Sequence, residues 1–441
     1  ALGENYQTNA EGYKEKYRQA EELAAAGSYD EAVAIFGSLG AYGDAKDKVS
    51  EVTYSKANAL AAAGSYDEAV SIFTELGDYA DAKEQISATT YAKAEALRKN
   101  GKRMEAVDIL EGLNDWGEAR NTIAEIGHDY LTEGDMDTAT AVCARVGDLP
   151  ESRADLQTAA DYYIGNTDYA KAIAAYGAII DDGEAAEKRD ALQQELYARA
   201  DTAFSARRFD EAETLFAELT DYKDATDRRT VSARKGLLDA KYTVGAAAIF
   251  GSYEQDNDTE NGLEPLEWIV LRRDGDKALL MTRYAIDTMP YRSSEVFSTW
   301  ETSSVRAWLN GEFMDTAFTG AEQNCLLDTQ IHDRRIVLKG VTYPEGHLTN
   351  DKVFILSKNE HTLYTKKFRK AEPTPYAVAN GAWTAPNGCC YYWVRSQTIR
   401  NEHYGLYVSS VGNFNWYFAR SLTRCVRPAV WVDLDAEGSG F

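Results

Sequence analysis

Gly27-Ser-Tyr-Asp-Glu-Ala32, with Ile35-Phe36, Leu39-Gly40 and Tyr42-Gly-Asp-Ala45 after it, returns 37 residues later. The second copy reads Gly64-Ser-Tyr-Asp-Glu-Ala69, Ile72-Phe73, Leu76-Gly77 and Tyr79-Ala-Asp-Ala82. Self-similarity at such a period marks a stacked repeat architecture. Degenerate copies at Met104-Glu-Ala106, Met136-Asp-Thr-Ala139, Tyr169-Ala-Lys-Ala172 and Phe209-Asp-Glu-Ala212 carry the pattern across residues 13–235. Each unit reads as two helices. Tyr54, Ala57, Leu60 and Ala61 share one face of a long helix. Gly64 ends it, and Ser65 or Asp67 is placed to cap the next. The short helix turns Ala69, Val70, Phe73 and Leu76 inward, its alanines letting the helices approach closely. One such unit cannot bury both faces, so the units must stack into a solenoid.

Beyond the repeats the composition changes. Residues 1–240 carry 47 acids and 26 bases, residues 241–441 carry 24 and 21. Seven of the eight Trp and seven of the eight Pro lie in the second part. This places a helical-repeat domain at 1–240 and a different domain at 244–441, with the boundary near Gly236–Val244. The strongly acidic first half disfavours nucleic acid and anionic membranes as partners. No run of about 18 apolar residues exists to span a bilayer, and no signal peptide is visible. The start at Ala1, without Met, suits a mature or truncated product. Cys143, Cys325, Cys389, Cys390 and Cys425 form no metal-ligand spacing, so no metal or other cofactor is expected. Buried free thiols and a bridge from Cys389 or Cys390 to Cys425 are both open readings.

From Val244 onward the pattern is one of short strands and turns. Glu264–Leu271 alternates as a strand, Arg272-Arg-Asp-Gly275 turns, and Lys277–Thr282 returns antiparallel. Val305, Trp308, Leu309 and Phe313 share one face of a helix expected over Glu301–Phe318, with Thr302 or Ser303 as its cap. A second short helix is expected at Gly320–Leu327. Asp351–Leu356, Tyr391–Val394, Leu406–Ser409 and Ala429–Val432 read as further strands, and Tyr391, Tyr392 and Trp393 as core. After Gly412 the aromatic, Asn and Arg residues follow no helical or strand period. The fold class is therefore α + (α+β).

Several spaced motifs carry resemblances. The repeats resemble tetratricopeptide-type arrays in period and in their small/aromatic alternation, which implies a spacer or a protein-binding scaffold. The motifs Phe250-Gly-Ser-Tyr253, Glu264-Pro-Leu-Glu-Trp268, Val305-Arg-Ala-Trp-Leu-Asn310, Asp351-Lys-Val-Phe354, Trp393-Val-Arg-Ser396 and Val426-Arg-Pro-Ala429 make a second likeness. Residues 244–434 resemble a bacterial domain family related to the C-type-lectin-like and formylglycine-generating-enzyme-like fold. Some members are variable proteins of diversity-generating retroelements, in which error-prone copying at template adenines rewrites codons just before a fixed terminal strand. The resemblance implies a variable region at about 396–425. Relatives tend to be Asn- and Gly-rich there and to carry Gly before Val-Arg-Pro; this chain has Cys425 and a stretch rich in aromatics and Arg.

The residues themselves argue for display. Between Tyr391 and Arg427 there are five Arg and one acid, in a chain of net charge −24. Aromatics give contact area at low entropic cost, and Arg adds stacking and bidentate hydrogen bonds. Trp416-Tyr-Phe418 cannot all face inward on a strand. The expected ligand-contacting residues are Arg400, Asn401, His403, Tyr404, Asn413, Phe414, Asn415, Trp416, Tyr417, Phe418, Arg420, Leu422 and Arg424. They would meet a protein or glycan, and a protein partner on the helical repeats is a further expectation. No nucleophile–base–orienter set emerges, so no catalytic residue is expected. Asp256, Asn257, Asp258, Glu260 and Asn261 read as a solvated turn, with a calcium-dependent lectin as the rival reading. A stalk bearing a recognition head suits the cell surface or an extracytoplasmic site, with the cytoplasm as the alternative.

Overall fold

Thirteen α-helices fill Leu2–Lys241, and every named strand lies after them. The computed structural model describes residues 2–293, 299–332, 336–338, 341–343, 345–396, 403–437 and 440–441; of 2–10, 336–338 and 341–343 it describes the backbone alone. A helical region thus precedes a sheet-containing one.

The repeats are built as the 37-residue period requires. The chain from Ala45 to Ala62 is one long helix and that from Tyr66 to Leu76 a short one. Ala57, Ala69 and Phe73 are fully buried between them. Gly27, Gly64, Gly101 and Gly134 close successive long helices with φ between 80° and 88°, where a Cβ would be strained. Thr167 and Arg207 hold the same conformation at φ 61° and 59° in later repeats. Ser65 takes the N-cap position, but neither its side chain nor that of Asp67 makes a capping hydrogen bond. Junctions between repeats recur in register. Tyr17 donates its hydroxyl to Asp44 at 2.6 Å, and Tyr197 to Asp224 at 2.5 Å. Tyr54 does the same to Asp81. Each of these tyrosines also packs edge-on against a phenylalanine: Phe36, Phe216 and Phe73 respectively. The helices therefore bury an apolar stripe and tie its rim with a repeated hydroxyl–carboxylate bond.

Two compact units divide the chain: Ala1–Arg199 with Leu215–Thr226, and Ala200–Thr214 with Asp227–Phe441. The helix Ala225–Lys241 thus belongs almost wholly to the second unit, where Leu238 and Tyr242 join the main core. Lys235 Nζ lies 2.7 Å from Asp276 Oδ2 and 2.8 Å from Asp435 Oδ2. The composition boundary near Gly236–Val244 falls within this second unit.

The strands in chain order are β1 Ala247–Tyr253, β2 Glu264–Asp274, β3 Lys277–Thr282, β4 Asp287–Thr288, β5 Thr329–Ile331, β6 Ile336–Leu338 and β7 Val341–Tyr343. Then come β8 Thr349–Asp351, β9 Val353–Phe354, β10 Tyr392–Trp393, β11 Tyr404–Val408, β12 Phe414–Phe418, β13 Cys425–Val426 and β14 Ala429–Asp433. One antiparallel sheet runs β1-β2-β3-β14-β9. A second runs β12-β11-β10-β13-β4, with the β10–β13 pair parallel. β5 pairs with β8 and β6 with β7.

Three buried tryptophans hold this frame, each with its indole N–H satisfied, as burial demands. Trp268 donates to the Phe250 carbonyl at 2.6 Å, Trp300 to Asp351 Oδ2 at 2.9 Å, and Trp393 to the Met289 carbonyl at 2.8 Å. The single helix expected over Glu301–Phe318 is two, Ser304–Leu309 and Glu312–Ala317. Gly311, at φ −128° and ψ −107°, breaks it. Ser303 caps the first of the pair, accepting from the Arg306 N–H.

Candidate functional site

The 403–424 segment is built on a hairpin. β11 and β12 pair Tyr404 with Phe418, Gly405 with Tyr417, Leu406 with Trp416, Tyr407 with Asn415 and Val408 with Phe414. The sequence hid this strand because Asn413 and Asn415 are poor strand formers and Tyr417 interrupts the apolar–polar alternation of Phe414, Asn415 and Trp416. A two-residue period puts Phe414, Trp416 and Phe418 on one face, Asn415 and Tyr417 on the other.

The first face is buried at one end only. Phe414 lies under the cations of Lys358 and Arg369 and beside His361. It is half-buried there. At the other end Phe418 is 55% exposed and stacks on Tyr404 with ring centroids 4.9 Å apart. Trp416 between them is half-buried.

The second face holds a column of rings around a cation. Trp383 stacks on Tyr391 at 4.3 Å. The Arg424 guanidinium lies 4.9 Å from the Tyr391 ring, 4.7 Å from Tyr407 and 4.0 Å from Tyr417. Arg424 is only 5% exposed, and burial lowers its pKa from the ordinary arginine value. Its Nη1 donates to Thr423 Oγ1 at 2.7 Å, while its Nε has no hydrogen-bond partner. Three rings over one guanidinium replace part of the lost hydration. Arg424 therefore corrects the expectation of a surface contact: it sets the rings instead. Gly405 is needed behind them, since a Cβ there would sit 2.8 Å from the Trp393 ring.

The remaining expected residues divide clearly. Tyr417 and Leu422 are exposed, at 41% and 61%, as are Asn413, Asn415 and Arg420. Tyr404 is half-buried. His403 is exposed, with its Nδ1 2.8 Å from Nη2 of the buried Arg292. Arg400 and Asn401 lie outside the described residues. Tyr392 and Trp393 are core as expected, but Tyr391 is half-buried in the column. All five cysteines are free and buried, so no bridge joins Cys425 to its neighbours. The Cys390 sulfur hydrogen-bonds Cys425, and this contact and burial push the Cys425 thiol well up.

Sequence reasoning missed Trp383 and His361. Trp383, 41% exposed, stands in a loop of Gly, Ala and Pro, where a lone aromatic gives no period to read. His361 is buried between Tyr392 and Phe414, and its Nδ1 has no partner. Burial holds its pKa well below the ordinary imidazole value, with Arg427, Arg369 and Arg395 adding to the effect.

Two other constellations stand apart from the hairpin. Carboxylate oxygens of Glu254, Asp256 and Glu264 lie within 4.8 Å of one another. Asp258, Glu260 and Asn261, grouped with them in sequence, are exposed. In the helical unit a cleft of about 770 Å³ is lined by Arg98, Glu125, His128 and Asp155 among others, and His128 Nδ1 lies 3.1 Å from Asp155 Oδ1.

Residues 275–434 match DUF6273, a domain of unknown function. The DUF6273 stretch begins directly after β2 and takes in the whole hairpin, the ring column and His361. It excludes Glu254, Asp256 and Glu264. No curated protein matches the chain. Among the described residues, no helix is long and apolar enough to cross a membrane.

Proposed function

We propose that this protein is a recognition protein whose C-terminal domain, of C-type-lectin-like type, presents the β11–β12 hairpin and the loop to Arg424 to a protein or glycan ligand. The observation that carries the reading is the exposure of Tyr417 and Phe418, whose rings meet with centroids 5.7 Å apart, with Leu422 also exposed just after them. Large apolar side chains clustered in water stabilise nothing in the fold, and such clusters mark interaction sites. Arg424 supports the same reading, because a preorganised ring column loses little entropy on binding. The helical repeats serve as the stalk that carries the head, which suits display at a cell surface.

The segment would be the variable region of a diversity-generating retroelement protein. Its position, just before the buried Cys425–Pro428 stretch and β14, supports this, with Asn413, Asn415, Tyr417, Phe418, Arg420 and Leu422 all exposed. The test is to sequence the gene's 3′ end and its flanks. A near-copy of codons 396–425, differing where the copy has adenine, beside a reverse transcriptase gene, would establish the reading. Its absence would leave an ordinary binding domain.

A calcium-dependent lectin is the second reading, favoured by the Glu254–Asp256–Glu264 cluster. It requires the Tm of the C-terminal unit to rise with millimolar calcium and fall with a chelator. An unchanged Tm in both would remove it.

A further inference from the structure

Lys366-Lys-Phe-Arg-Lys370 sets four cations in five residues of an acidic chain. Lys367, Phe368 and Lys370 line a cleft of about 530 Å³ on the C-terminal unit. That volume is in the range of small-molecule sites. Arg427 and Arg283 also line it, so four cations stand against two carboxylates, Glu267 and Glu372. Arg283 is taken by Glu267. Among the described residues Lys367, Lys370 and Arg427 pair with no carboxylate.

Arg427 is the informative member. It is 2% exposed, and its donors go to uncharged oxygens: the Thr282 carbonyl at 2.8 Å, the Phe368 carbonyl at 2.7 Å and the Arg283 carbonyl at 3.3 Å. A buried charge satisfied by dipoles alone keeps its field, and low-dielectric walls focus it into the cleft. The repeats handle cations differently: Lys56 and Lys93, 37 residues apart, meet Asp30 and Asp67, both at 2.5 Å. Apolar surface is present too, from Ile269, Tyr284 and Phe368. Gly245, at φ 93°, forms part of the wall, where a Cβ would come 3.8 Å from the Phe368 ring.

We infer that this cleft binds a small molecule with an oxyanion head, phosphate or carboxylate, and a compact apolar body. Lys367 and Lys370 take the head from the rim, Arg427 supplies the field from below, and Tyr284 and Phe368 flank the body. The cleft's lining includes no residue of β11 or β12.

Titration calorimetry on the full chain tests it with three probes: inorganic phosphate, phenyl phosphate and tripolyphosphate, at matched ionic strength. Phenyl phosphate should bind more tightly than inorganic phosphate, because the apolar walls then contribute. The exposed-lysine variant Lys367→Gln/Lys370→Gln should weaken both at least tenfold, as expected for two lost charge-assisted hydrogen bonds. A control, Lys14→Gln/Lys16→Gln on the first helix, should leave both unchanged. No binding of either monophosphate would overturn the inference. So would binding that survives the double substitution, or tripolyphosphate binding alone, which would mark a nonspecific polyanion surface.

Discussion

The helical repeats and the β11–β12 hairpin are both rich in aromatic residues and use them in opposite ways. In the repeats, Tyr17, Tyr54 and Tyr197 each pack against a buried phenylalanine and give the hydroxyl to an aspartate of the next turn. Ring edge and hydroxyl each have a structural partner. In the hairpin, Tyr417 and Phe418 leave much of their rings in water, and the buried Arg424 that follows it braces rings rather than joining elements. An aromatic residue is therefore informative only through what its far side meets. The repeats could not lose theirs without losing the stack, whereas the hairpin could lose its outer rings and keep its fold.

This contrast yields predictions, the largest first. Trp393→Ala removes a fully buried frame residue, and should cost about 3–5 kcal/mol in chemical denaturation of the C-terminal unit. A smaller loss would mean that the hairpin does not rest on a rigid base. Acidification should separate the two regions next. His361 is neutral in the folded state with its pKa depressed, so the unfolded chain binds the proton more readily. Stability contributed by the neutral ring is present above about pH 6.5 and is lost as pH falls below it. The Tm of the C-terminal unit should drop in that window, and His361→Leu should flatten the drop. Should the wild-type and variant profiles coincide, His361 is not the titrating group. In the repeats, Tyr54→Phe keeps the ring and loses the bond to Asp81, with an expected cost of about 1 kcal/mol. Least of all, Phe418→Ser and Leu422→Ser should each change stability by about 0.5 kcal/mol or less, since these side chains are exposed. Losses above about 2 kcal/mol at these positions would make them core and sink the display reading.

The sequence made the repeats legible because a 37-residue self-comparison needs no knowledge of contacts: Gly64 and Phe73 repeat Gly27 and Phe36. It also exposed β2, β3, β14 and the Ser303 cap, where local pattern and final environment agree. Elsewhere a distant partner decides. The helix break at Gly311 is invisible in a pattern whose apolar spacing runs on through Phe313. β12 is a strand because β11 supplies its hydrogen bonds, despite two asparagines at its turn end. Arg424 looks like its exposed neighbour Arg420, and only the convergence of Tyr391, Tyr407 and Tyr417 hides it. Arg283, the Lys367–Lys370 pair and Arg427 are far apart in sequence, and folding alone brings them to one cleft. Candidate surface residues were thus recovered where exposure followed from crowding of aromatics, and missed where packing was set from outside the segment.

Gly405 has a consequence for anyone who would rewrite this surface. It lies near the start of the 403–424 segment, and its missing side chain is the space that Trp393 fills. A combinatorial library over 403–424 therefore has a forbidden letter position within it: clones carrying any residue but glycine at 405 should vanish from the folded fraction before ligand selection begins. Genetic variety on this face is bounded from inside by a single codon.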